Sequence, residues 1–332
     1  MCSTEVFAAG CYTSRGGPGL MLLRREGDAL RVLDVWKGLC DPIWVEKGRD
    51  GVFFVSCADE NGNGMAASFR AEEGKLRCLS AQPTGGSDTC HLTLDEAGET
   101  LYAANYADGS LAVFPVRNGL LRPRVQLIRH AERTGPHPTR QERCHIHQTR
   151  FRPGTDEVFV CDLGADAVMV YLRQADGTLI FKERIQAESG TGPRHLLFDG
   201  PDRFYLVGEL RGWLSEYERV SGKWLLRQTV STLPAGFTGE NTAAAIRKRG
   251  DTLYVSNRGH DSIAVFERGE DGLQGVQWLK TPGKLPRDFL LTEDGFLVAQ
   301  QGGGGVALLD ADGAVLGAVE QPGMVCLCGL DV

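Results

Sequence analysis

A strand-and-turn phrase that recurs about every 47 residues, a glycine count of 43 against 14 prolines, and the want of any long helical periodicity define the fold class. They predict an all-β chain: a seven-bladed β-propeller with four-stranded antiparallel blades, the closing blade built from both termini.

The elements follow in order. VFAAGCYTS from Val6 and GLMLLRR from Gly19 read as second and third strands that lack a first. The full phrase is a turn, a β-rich run ending in a small or polar residue, a second turn and another strand. It starts at Val45 (VEKGRDGVFFVSCADENGNGMAASFR), weakly, and then at Leu94 (LDEAGETLYAANYADGSLAVFPV) and Phe151 (FRPGTDEVFVCDLGADAVMVYLR). Further copies begin at Phe198, Ile246 and Leu291. A short strand upstream of each copy, starting near Pro42, His91, His145, His195, Thr242 and Arg287, is the predicted innermost strand. MVCLCGL from Met324 supplies the strand missing at the N-terminus, and closing the ring this way removes exposed sheet edges. With no linker or low-complexity tract, residues 1–332 are expected to form one domain. A β-sandwich or tandem small domains would not repeat the same internal order, and the WD dipeptide of another propeller class is missing.

Lys and Arg total 36 against 43 acidic residues, net −7, so there is no overall basic field for nucleic acid or an anionic membrane surface. The N-terminus lacks a basic segment followed by an apolar core, and no run approaches membrane-spanning length. A cytoplasmic location is therefore expected, with the protein a monomer or a weak homo-oligomer. Several of the 10 cysteines lie in apolar runs such as VFVCDL and MVCLCGL, where they behave as small buried hydrophobes in a reduced protein. No C-x-x-C pair supports a zinc ribbon.

The most polar innermost strand is CHIHQTRF, in which alternation puts His145, His147 and Thr149 on one face. TGPRHLLF adds Arg194 and His195, GELRG adds Glu209, NRGHDS adds Arg258 and His260, and GKLPRDF adds Lys284 and Arg287. At equivalent heights in consecutive blades these groups form a ring that can bind an anion and move protons. The residues alone leave other roles open: packed histidines or a metal pair for His145 and His147, and blade-to-blade ion pairing for Arg194, Arg258 and Arg287. A zinc site would need a third close ligand, and no HExxH accompanies the pair, so no metal and no cofactor are expected. Glu209, in the apolar run YLVGEL, needs a partner in either case. Gly302 to Gly305 precede a strand rather than a helix, and G-x-S-x-G and a Walker lysine are missing, which removes dinucleotide, serine-hydrolase and NTPase readings. Gly27-Asp28 and Asp312-Gly313 are turn residues.

Taken together, GGSDTCHLTLDEAGETLYAANYADGSLAVF, RQERCHIHQTRF, GTGPRHLLF, LYVSNRGHDSIAVF and GKLPRDFLL resemble the lactonase family of seven-bladed propellers over nearly the whole chain. That family includes propeller-type 6-phosphogluconolactonases and carboxymuconate-lactonizing enzymes. The resemblance implies catalytic roles for His147 or His145, Arg194, Glu209 and Arg258. It also implies substrate-binding roles for His145, His195, His260, Lys284, Arg287 and Gln301. The family's proline before the first histidine is Cys144 here, and its A-N-Q near the last blade reads Ala299-Gln300-Gln301; neither change removes a chemical group.

The implied partner is a small lactone carrying phosphate or carboxylate, most simply 6-phosphogluconolactone. Arginines would clamp the anion and meet the developing oxyanion, and a neutral His147 or an ionised Glu209 would take a proton from water. A cycloisomerase, a hydrolase of unphosphorylated sugar lactones, and a propeller that binds without turnover are the alternatives.

Overall fold

The computed structural model describes residues 4–331, and all regular structure there is β apart from one 3₁₀ turn, Thr13–Arg15. The architecture is the seven-bladed propeller class: seven antiparallel sheets, six of them running in sequence order from the innermost strand outward and the seventh starting from the C-terminal strand. Two compact units divide the chain.

One unit holds the chain up to Arg129 and again from Pro282. Its first sheet joins the termini: Met324–Leu330, then Thr4–Cys11, Leu20–Glu26 and Ala29–Trp36. The pairing of Ala8 with Cys328 and of Ala9 with Leu327 realises the predicted closing blade. Cys40–Lys47, Val52–Ala58, Asn63–Glu72 and Lys75–Ser87 form the next sheet, and Pro286–Thr292, Gly295–Gln300, Val306–Asp310 and Val315–Val319 another. The sheet starting at Thr89–Leu94 departs from four strands. Its outer position is split between Leu120–Leu121 and Gln126–Arg129, both paired with Ser110–Arg117. Pro123 lies between the two pieces and Pro115 lies opposite; neither has an N–H for the ladder, so the outer strand breaks there.

The other unit, His130–Thr281, contains three four-stranded sheets. They are Ile146–Phe151, Glu157–Asp162, Ala167–Arg173 and Leu179–Gln186; then Pro193–Phe198, Arg203–Gly208, Trp213–Val220 and Lys223–Ser231; then Thr242–Arg249, Thr252–Arg258, Ser262–Gly269 and Gly272–Lys280. Second strands are buried on both faces because sheets pack on each other: Phe159, Cys161 and Val170 meet Leu196, Phe204, Leu206 and Tyr217. Tyr205, Val207 and Leu214 meet Ile246, Leu253 and Phe266 in the same way. Each such side chain removed from water contributes roughly 1.5–3 kcal/mol.

The cysteines largely follow the expectation. Cys11, Cys57, Cys90, Cys144, Cys161 and Cys326 are buried thiols, Cys78 and Cys328 are half-buried, Cys40 is exposed, and Cys2 lies outside the described residues. Burial pushes the Cys57 and Cys144 thiols up to about 12, the Asp162 charge adding to the effect at Cys144, so neither is a nucleophile at neutral pH.

Candidate functional site

The innermost strands share one irregularity. In the sheet of Ile146–Phe151, Ile146 pairs with Asp162 and Gln148 with Cys161, leaving His147 as an extra residue. In the next sheet Pro193 pairs with Gly208 and His195 with Val207, leaving Arg194 extra. A β-bulge of this kind interrupts alternation and re-aims the bulged side chain. The expectation that His145 and His147 share a face through strict alternation therefore fails at His147. His145 Nε2 lies 3.2 Å from Glu142 Oε2, whereas His147 Nε2 lies 3.9 Å from Glu209 Oε2. In the third sheet of this unit the bulge falls on buried alanines, Ala243 to Ala245, and the cation comes instead from the end of the second strand: Arg258 Nη2 donates to the Ala243 carbonyl at 3.1 Å.

Glu209 follows the strand Arg203–Gly208 and is held at both backbone ends, its N–H donating to Gly192 O at 2.8 Å and its carbonyl accepting from Ala243 N at 3.2 Å. Its carboxylate is the meeting point of the site. Arg194 Nε lies 2.8 Å from Oε2, Arg258 Nη2 3.1 Å from Oε2, and Arg140 Nη2 donates to Oε1 at 2.6 Å. The carboxylate is 3% exposed, with Arg194 at 3% and Arg258 at 9%, so these charges interact with little screening. Burial by itself would push the Glu209 carboxyl up, but Arg258, Arg194, Arg140 and His147 together hold it well below the usual carboxylate range. Three guanidiniums on one carboxylate leave an excess of positive charge, the setting an incoming anion requires.

The imidazoles sit beside this cluster. The His147 and His195 rings meet edge to face with centroids 5.3 Å apart, and Arg194 Nη1 is 3.3 Å from His195 Nε2. Behind His145 stands a buried chain that the sequence did not announce. The Tyr171 hydroxyl is 2.9 Å from His130 Nε2, His130 Nδ1 is 2.7 Å from Asp162 Oδ2, and Asp162 Oδ1 accepts from the backbone N–H groups of His145 and Ala165 at 2.8 and 3.0 Å. Burial works to raise the Asp162 carboxyl, yet its bonds to His130 and the backbone keep it below the ordinary value.

Of the predicted residues, His147, Arg194, Glu209 and Arg258 come together, with His195 against them. His260 occupies separate surroundings: its Nδ1 is 2.7 Å from Ser262 Oγ and its ring meets Phe237 edge to face. Burial first, and Lys280 second, lower the proton affinity of that imidazole. Lys284, Arg287 and Gln301 belong to the other unit, where Arg287 is likewise the extra residue of a bulge. Its guanidinium lies 5.5 Å above the Tyr12 ring and donates to Gln301 Oε1 at 3.4 Å. The Lys284 backbone pairs with Gly302 and Gly303. Arg140 was missed. It lies in the segment between Arg129 and Ile146, where no strand pattern marks it, and the cluster of basic residues in HPTRQERCH was the one available signal. Among the described residues no group of three or more His, Cys, Asp or Glu converges as a metal-ligand set, and no helix is long and apolar enough to cross a membrane.

Comparison with known proteins places the fold in a family. Residues 6–315 match the family described as "Lactonase, 7-bladed beta-propeller". A 6-phosphogluconolactonase of Bacillus subtilis is 34% identical over 303 residues, covering 87% of this chain and 86% of that protein. An uncharacterized protein of Lactococcus lactis is 35% identical over 309 residues, 90% of this chain and 89% of its own. In solved structures, the periplasmic gluconolactonase of Pseudomonas aeruginosa superposes with a TM-score of 0.88 at 29% identity, covering 99% of this chain and all of that one. The family match over residues 6–315 and the 34% identical relative show that the chain belongs to the lactonase family of seven-bladed β-propellers.

Proposed function

We propose that this chain is a 6-phosphogluconolactonase, opening the ester ring by hydrolysis at the cluster centred on Glu209. The observation that carries the reading is the convergence of Arg140, Arg194 and Arg258 on one buried carboxylate beside the His147 imidazole. The arginines bind the substrate anion and stabilise the oxyanion that forms at the ring carbonyl. His147, as neutral imidazole, takes a proton from water while the water oxygen bonds to the carbonyl carbon. The carbonyl electron pair moves to oxygen, then returns as the ring C–O bond breaks, and the imidazolium gives its proton to the departing ring oxygen. The product acid then ionises and releases one proton to solvent.

Of the two candidate bases, His147 is preferred over Glu209. A carboxylate held ionised by three guanidiniums binds a proton too weakly to take one from water. Glu209 instead fixes the arginines. A second reading, hydrolysis of unphosphorylated sugar lactones, is favoured by the likeness to the Pseudomonas gluconolactonase. The test is acid release from freshly prepared 6-phosphogluconolactone and from glucono-δ-lactone, each against its spontaneous rate. Acceleration of the phosphorylated lactone alone supports the first reading, acceleration of glucono-δ-lactone alone the second, and acceleration of neither defeats both.

A further inference from the structure

Asp166 precedes the third strand of its sheet, Ala167–Arg173, with φ 49°. In three other sheets the residue immediately before the third strand is Gly109, Gly212 or Gly305, with φ 60°, 61° and 64°. The turn therefore asks for left-handed backbone and nothing more, and glycine adopts it at least cost. In the sheet of Thr242–Arg249 an aspartate, Asp261 with φ 53°, holds the same place, so what sets Asp166 apart is its burial: at 2% exposed its carboxylate needs partners.

It binds two loops. Oδ1 accepts from Gln141 Nε2 at 2.7 Å and from Gly192 N at 2.8 Å, while Oδ2 accepts from Gly190 N at 2.6 Å. Gln141 is the neighbour of Arg140, and its amide also donates to Leu163 O at 2.9 Å and accepts from His137 N at 3.0 Å. Gly192 lies two residues before Arg194, and its carbonyl accepts from Glu209 N. The packing is close: a Cβ on Gly135 would fall 2.2 Å from Asp166 Oδ2 and 2.4 Å from Gln141 Oε1.

We infer that Asp166 is a positioning residue: it holds the loop of Arg140 and the loop leading into the strand of Arg194 in register, so that both guanidiniums meet on Glu209. The inference rests on the proposed role of those arginines in lactone binding. Asp166 does not reach the reacting atoms. It acts by fixing where two positive charges stand, and a displacement of about 1 Å in such groups can cost on the order of 10²-fold in rate.

The test uses Asp166→Gly in the full chain, because glycine at this turn is what three other sheets already carry. Amide hydrogen exchange should speed up by about 10-fold or more in peptides from both 133–143 and 188–195, with the strands outside them unchanged. The value of kcat/KM on whichever lactone the wild type opens should fall by roughly 10- to 100-fold. In an Arg140→Ala background the same change should cost markedly less, since part of what Asp166 positions is already gone. Asp166→Asn, which keeps one acceptor oxygen, should recover part of the activity. Gln141→Ala, a second route if Asp166→Gly does not fold, should loosen 133–143 and leave 188–195 alone. Exchange unchanged in either segment of Asp166→Gly, exchange in Gln141→Ala that loosens both segments, or strictly multiplicative costs with Arg140→Ala, would overturn the inference. If the wild type opens no lactone, the functional reading fails, while the exchange measurements still decide whether Asp166 couples the two loops.

Discussion

Arg140 Nη2 and Glu209 Oε1 are 2.6 Å apart, yet the two side chains differ sharply in exposure, 35% for Arg140 and 3% for Glu209. Of the three guanidiniums on Glu209, Arg140 is the most exposed, and on the proposed reading it is the one that exchanges its partner for an arriving anion. Arg140→Ala should raise KM by about 10-fold with a smaller change in kcat, the signature of lost binding that is equal in ground and transition states. Its melting temperature should stay within a few degrees of wild type, because a half-exposed ion pair contributes little to stability. Steady-state kinetics beside a thermal melt check both parts.

Glu209→Gln should behave in the opposite way. It leaves two buried guanidiniums without their counter-charge, a loss on the order of 3–5 kcal/mol for a broken buried pair. The pH dependence has a definite sign. Burial opposes ionisation of Glu209, but the arginines and His147 win, so the folded protein binds a proton here more weakly than the unfolded chain, whose value is near 4.5. The stabilisation is complete above that value and is lost as pH falls through the lower, folded one. Urea unfolding at neutral pH and again below about pH 4.5 should show the gap between wild type and Glu209→Gln narrowing on acidification. A gap that widens would reverse the assignment.

His147→Ala should lower kcat by roughly 10²-fold and remove one limb of the pH–rate curve, since the proton acceptor is gone. Arg194→Ala and Arg258→Ala should lose rate and keep the shape of that curve, because guanidinium stays charged throughout. Should Glu209→Gln, and not His147→Ala, erase the limb, the two roles would have to be exchanged.

Removal of residues 323–332 should abolish cooperative folding. Met324–Leu330 is the inner strand of the sheet that the N-terminal strand Thr4–Cys11 completes, and without it that strand presents an unpaired edge. A soluble truncation with a single sharp melt would contradict this.

The repeat was legible because each strand of a blade alternates or runs apolar between turns, and this pattern survives in a single sequence. Even the starts of the innermost strands, such as Thr242 and Pro286 beside the predicted Arg287, fall where the repeats put them. The broken outer strand was less legible, since Pro115 and Pro123 act together across a register visible only in the fold. At the site the difficulty was more basic. A period-two reading assumes an unbroken ladder, and the ladder breaks at His147, Arg194 and Arg287, the residues whose direction matters most. Arg140 and Asp166 escaped for another reason: one lies in a segment without periodicity, and the other occupies a turn where aspartate is an ordinary choice. Their roles are set by tertiary contacts that spacing does not encode.

Whether the arginines around Glu209, with His147, open lactone rings is decided by acid release from 6-phosphogluconolactone in the presence of wild type, Arg258→Ala and His147→Ala, each first shown to be folded by its melt. Release well above the spontaneous rate is expected for wild type, with a fall of about 10²-fold or more in the enzymatic rate for both variants. Folded variants that release acid as fast as wild type would show that the chemistry lies elsewhere.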